Sequence, residues 1–189
     1  MIRVQPSAYL MAAALVLLLP LDWLLAAIMA AVFHEAGHLI AIHAAGGRVS
    51  SVSIDFLGAR IHTGPLENRA EFFCAAAGPT ASLLLLSLCR WFPQLALCGL
   101  VQGMFNLIPV HPMDGGRMLY CMLRRLCPRQ ADRVLHRIEW VILFGILSLS
   151  LTLAVRRRDT VFPVLMCIPV LSRLLLSKIP CKSGRFAVQ

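Results

Sequence analysis

Six apolar runs fill most of this 189-residue chain, at about 8–21, 23–45, 72–88, 95–110, 138–155 and 160–176. Short stretches marked by arginine, proline and glycine separate them. Runs of this length and spacing leave the chain one solvent in which every backbone group can be satisfied, a lipid bilayer crossed by helices. The composition agrees: 59% of residues are hydrophobic and only 14% charged, against roughly half and a quarter in soluble domains. A water-soluble globule, a disordered chain and a fibrous repeat are excluded. The expected fold is an all-α polytopic membrane protein of about six transmembrane helices. The first run, 8–21, has a positive residue before it, as a signal-peptide core does, but apolar sequence resumes at Trp23 without a small-x-small site, so a short membrane helix is expected there.

Between the second and third runs, Val52, Ile54 and Phe56 alternate with Ser51, Ser53 and Asp55, the period of a strand. Gly58 and Gly64 punctuate the stretch, and a short β-hairpin is predicted. Residues 117–140 mix arginines with Met118, Leu119, Met122, Leu123 and Leu126, and Pro128 divides them. Two pieces of basic amphipathic sequence on the cytoplasmic leaflet are the expectation.

Lysines and arginines outnumber acids 18 to 9, and all but Lys178 and Lys182 are arginines. In so apolar a chain this charge suits membrane-flanking anchors better than a nucleic-acid footprint, so no nucleic-acid partner is expected. Six alternating spans would put both termini on one side together with Arg48, Arg60, Arg69 and the arginines of 117–137. That side is expected to be cytoplasmic. Arg156, Arg157 and Arg158 fall on the other side and run against the rule. The seven cysteines are odd in number and form no CxxC pair, which fits buried thiols rather than a disulfide framework.

Inside the second run stands His34-Glu35-Ala36-Gly37-His38. Residues four apart share a helix face, so two imidazoles can aim at one zinc ion while the glutamate reaches a water beside it. Three ionisable groups in an apolar span are costly unless paired or bound to a metal. A catalytic zinc takes three protein ligands. Among the remaining acids, Asp114 ends an apolar span that returns to the membrane side of His34 and His38. Pro109 and Pro112 interrupt the helix before it, and Gly115 and Gly116 are expected to make a tight turn that aims the carboxylate. His111 competes as a ligand or pocket-lining group; His43 is read as a boundary residue, and His62 and His136 as surface.

These motifs together resemble the site-2 protease family of intramembrane zinc metalloproteases. The matching elements are His34-Glu35-Ala-Gly-His38, the Asn106–Gly116 stretch of the form NxxPxxPxDGG, and Ala77-Gly78-Pro79 between them. The family often has Asn where this chain has Ser82. The resemblance covers about residues 23–117, the expected catalytic core of a single membrane-embedded domain, 1–189. Without a PDZ insertion or room for a CBS domain, the chain looks like the compact sporulation-type branch, typified by stage IV sporulation protein FB, which processes a membrane-associated pro-sigma factor.

The resemblance implies one zinc per chain on His34, His38 and Asp114, Glu35 as the catalytic base, and Asn106 as a donor to substrate or oxyanion. It implies a membrane-protein or membrane-associated substrate, a lipid environment and regulatory membrane proteins. An active-site opening toward the cytoplasm follows from the expected topology. The strands of residues 50–61 are expected to offer an edge to unwound substrate. Two other classes stand beside the enzyme. A zinc-dependent scaffold would not need Glu35, and a metal transporter would spread its ligands along a path rather than in one cluster.

Overall fold

The computed structural model describes residues 2–55 and 58–157. In chain order these form β1 (Ile2–Val4), α1 (Pro6–Leu18), α2 (Leu21–Ala44), β2 (Val49–Asp55), β3 (Gly58–Thr63), α3 (Asn68–Leu84), α4 (Pro93–Asn106), α5 (Asp114–Leu126) and α6 (Ala131–Arg157). A 3-10 turn, Leu85–Leu88, extends α3. Two compact units result, Met1–Leu126 and Cys127–Gln189, and α6 belongs to the second.

Local chemistry sets most of the boundaries. Pro6 and Pro93 occupy first-turn positions, where a missing N–H costs nothing. Leu19, which precedes Pro20, is extended and breaks α1 from α2. At the end of α2, Gly46 takes φ 71°. Its N–H reaches the His43 carbonyl at 3.0 Å and the Gly47 N–H reaches the Ile42 carbonyl at 2.9 Å, closing a Schellman cap. The predicted break at Pro128 falls between α5 and α6.

Two helical stretches, Leu21–Ala44 and Asn68–Leu88, are long and apolar enough to cross a membrane. They correspond to the second and third runs. The first and fourth runs form helices of only 13 and 14 residues, roughly 20 Å against a hydrocarbon core of about 30 Å. The expectation of six full spans is therefore met by two among the described residues. The fifth run lies within α6, and the sixth, with Arg158, Lys178 and Lys182, lies outside the described residues.

The packing is inside out relative to a soluble protein. Ala30 and Ala75 are fully buried, and the bulkiest fully buried side chains are Pro79, Cys74 and Ser82. Leu17, Ile40, Leu84, Val101 and Val141 face outward. Small residues where helices meet and large apolar ones around them suit a lipid solvent, in which close backbone approach replaces hydrophobic burial as the source of cohesion. Gly37 of α2 shows how close: a Cβ there would lie 2.7 Å from the Ala77 carbonyl oxygen and from the Ala81 Cβ of α3.

The expected hairpin is part of a three-stranded sheet ordered β1-β2-β3. β2 and β3 pair antiparallel, and β1 pairs parallel to β2, with Ile2 opposite Val52 and Val4 opposite Ile54. Because β1 precedes α1 and β2 follows α2, those two helices must leave the sheet and return to it. A reporter fused after Asp22 is accordingly expected to read the side of the membrane opposite to one fused after Gly47, with the Gly47 fusion cytoplasmic. A cytoplasmic reading after Asp22 would mean that α1 does not cross the membrane.

Candidate metal centre

The spacing of His34 and His38 puts both imidazoles on the α2 face that packs against α3, and both are buried. Asp114 reaches them from another direction. α4 stops at Asn106, and residues 107–113 follow a series of short turns through Pro109 and Pro112 before Asp114 opens α5. The three side chains converge. Asp114 Oδ2 lies 3.1 Å from His34 Nε2 and 3.1 Å from His38 Nε2, and the two nitrogens are 3.2 Å apart.

The outer ring nitrogens are also satisfied. His34 Nδ1 is 2.9 Å from Ser82 Oγ, and His38 Nδ1 is 2.7 Å from the Cys74 carbonyl oxygen. With each Nδ1–H donated outward, both Nε2 lone pairs face the Asp114 oxygen. Three electron-rich atoms so close together repel unless a cation or shared protons lie between them. A tetrahedral zinc at ~2.0–2.1 Å from each ligand would hold them about 3.3 Å apart. The residues therefore fit zinc in donor type, number and spacing. Among the described residues this trio is the group of His, Cys, Asp and Glu side chains arranged to hold a metal ion.

The second carboxylate oxygen, Asp114 Oδ1, faces Arg117 Nη1 at 3.7 Å. Glu35 follows His34 in sequence, is partly exposed, and lies within electrostatic reach of His34, His38, Asp114 and Arg117.

Glycines make this convergence possible. A Cβ at Gly78 would collide with the His38 imidazole. Gly115 and Gly116 do not form the tight turn expected of them. Both lie in the first turn of α5 with no positive φ. Side chains there would strike backbone: the Leu107 carbonyl for Gly115, and the Val110 carbonyl carbon at 2.7 Å for Gly116. They let α5 start hard against the unwound segment, which brings Asp114 to the histidines.

The other candidates separate from the trio. His111 is outside the metal-binding group and stands edge-on to Tyr120, with ring centroids 6.2 Å apart. His43 is exposed at the end of α2. His62 Nε2 lies 3.0 Å from Ser53 Oγ on the sheet. Asn106 is half-buried, and its Nδ2 donates to the Gln102 carbonyl at 3.1 Å. The contributions of Cys74, Gly78 and Ser82 went unread in the sequence as a group. Their signal was present: spacing by four places these small residues on one face of α3.

Purified protein is expected to carry about one zinc per chain by elemental analysis. His34→Ala and Asp114→Ala should each lose stoichiometric metal. Gly78→Ala, which adds one methyl to a residue that touches no ligand through its side chain, should displace His38 and weaken zinc binding about tenfold or more.

The profile described as Peptidase family M50 matches residues 82–146, which hold Ser82, Asn106 and Asp114. The zinc metalloprotease MJ0392 of Methanocaldococcus jannaschii is 28% identical over 142 residues, covering 65% of this chain and 42% of that protein. Rip3 of Mycobacterium tuberculosis is 32% identical over 133 residues, covering 59% of this chain and 32% of that protein. The chain thus spans less than half of either relative. The solved site-2 protease from Methanocaldococcus jannaschii superposes with a TM-score of 0.63 over 87% of this chain and 86% of that one, at 20% identity, a likeness of fold. The chain is thus homologous to these zinc metalloproteases, shares the fold of the solved site-2 protease, and matches Peptidase family M50 over residues 82–146.

Proposed function

We propose that this protein is an intramembrane zinc metalloprotease that cuts a peptide bond in or near the membrane segment of another protein. The observation that carries the reading is the buried triangle of His34, His38 and Asp114 with Glu35 beside it. Zinc, when bound there, supplies a positive charge that acidifies water and polarises the scissile carbonyl.

The remaining steps belong to side chains of the chain itself. Ser82 and the Cys74 carbonyl hold the two imidazoles with their Nε2 atoms inward. Glu35 takes a proton from the attacking water and later delivers it to the leaving nitrogen. Asn106 has a second amide hydrogen besides the one given to Gln102, and this hydrogen serves the carbonyl oxygen as charge develops on it. A helical substrate hides its peptide bonds and must unwind before attack. β2 is paired on both sides, so the expected docking edge moves to the outer side of β3, where backbone groups are available for strand addition.

In this reading the site opens toward the cytoplasm, and both termini are cytoplasmic. The substrate class is a membrane-spanning or membrane-associated segment, of which a pro-sigma factor is one member, and regulatory membrane proteins act on the same complex.

The test is Glu35→Gln. Glu35 is not among the three ligands, so the variant should keep zinc and fold. Cleavage of a co-expressed membrane substrate should fall about 10²–10⁴-fold or more, and the uncut substrate should co-purify with the variant. Wild-type cleavage by Glu35→Gln would assign the base to another group. If neither Glu35→Gln nor His34→Ala changes the processing of any substrate but both abolish a metal-dependent partner complex, the chain is a metal-dependent scaffold.

A further inference from the structure

His34 and His38 are held from behind by different kinds of partner. His38 relies on a backbone carbonyl, that of Cys74, which no substitution removes. His34 relies on a side chain, the hydroxyl of Ser82, at 2.9 Å. Ser82 is completely buried. Two glycines of α4 close over it: a Cβ at Gly99 would come within 2.7 Å of the Ser82 carbonyl oxygen, and one at Gly103 within 3.3 Å of the Ser82 Cβ. The bond from His34 is therefore made in a dry, tightly filled place, where a hydrogen bond is strong and its loss leaves an N–H with no water to turn to. Ser82 Oγ is also on the far side of the imidazole from the metal-binding triangle, since it meets Nδ1 while Asp114 and His38 meet Nε2.

We propose that Ser82 is a positioning residue for His34. Its hydroxyl accepts from Nδ1–H and fixes the ring plane, so that Nε2 offers its lone pair to zinc, and it has no part in gripping substrate. The proposal rests on the zinc site put forward above and deepens it. The α4 glycines are the second half of the device, because their missing side chains let α4 pack against the Ser82 backbone and Cβ.

The test uses the full chain purified in detergent and reads zinc affinity by competition with a chelator, together with the visible absorption of the cobalt-substituted protein. Ser82→Ala removes a single oxygen and leaves the packing otherwise intact. It should weaken zinc binding about 10–100-fold and shift the cobalt bands. Ser82→Thr, which restores the hydroxyl, should recover most of that loss. With excess zinc, Ser82→Ala should cleave substrate with an unchanged KM.

Wild-type affinity and an unshifted cobalt spectrum in Ser82→Ala would overturn the proposal. So would equal losses in the Ala and Thr variants at undiminished helix content, which would make the position one of packing alone. A raised KM with full zinc occupancy would also overturn it, by returning Ser82 to the substrate. Failure of the wild-type chain to bind zinc would instead remove the metalloprotease reading itself, and this proposal with it.

Discussion

The close approach of α2 and α3 is the constraint on which everything else hangs. Neither histidine could be buried without it. Gly37 lets α2 settle against the backbone of Ala77, and Gly78 leaves the hollow that the His38 ring fills. The same contact supplies the acceptors for both outer ring nitrogens, one from the backbone and one from Ser82. In hydrocarbon an unsatisfied N–H or an unpaired charge costs several kcal/mol. The helix pair solves a packing problem and an electrostatic one with the same few small residues.

Asp114 completes the balance. A carboxylate at this depth would not stay ionised alone. Here two imidazoles face one of its oxygens and Arg117 faces the other. Delivering it required the chain to abandon the helix after Asn106 and restart at Asp114, with Gly115 and Gly116 pressed against the carbonyls of the unwound segment. Irregular backbone of this kind is tolerated in a membrane protein where protein surrounds it or a cavity opens beside it.

The outward face follows from the inward one. With alanine, glycine, serine and cysteine occupied in bringing helices together, leucine, isoleucine, valine and phenylalanine are left to meet lipid. The sheet at the end of α2 is the contrasting element. It carries hydroxyls, a histidine and paired backbone, including the bond from the Ser50 hydroxyl to the His62 carbonyl. A polar platform therefore lies where the chain leaves the α2 helix that carries His34 and His38.

Much of this was legible without coordinates, because it is local. The His34–His38 spacing, the apolar run around it and the proline interruption before Asp114 each follow from helix geometry acting on neighbouring residues. The boundaries of α2 and α3 were read correctly to within a few residues. The rest depends on partners far apart in sequence, for which no local signal exists. β1 joins β2 across some fifty residues, which turns the predicted hairpin into a three-stranded sheet. The first and fourth runs form helices shorter than a membrane, since their apolar character told of their surroundings and not of their length. His111, three residues before Asp114, turns to Tyr120 because the entry of α5 decides which way the loop faces. Ser82 reads in the sequence only as a residue where the family often has Asn, and its place behind His34 depends on how α3 packs on α2. The amino-acid sequence by itself determined the donor atoms and the solvent they must live in. Only the tertiary structure decided what stands behind each donor, because a hydrogen bond between α2 and α3 is set by how closely the two helices pack.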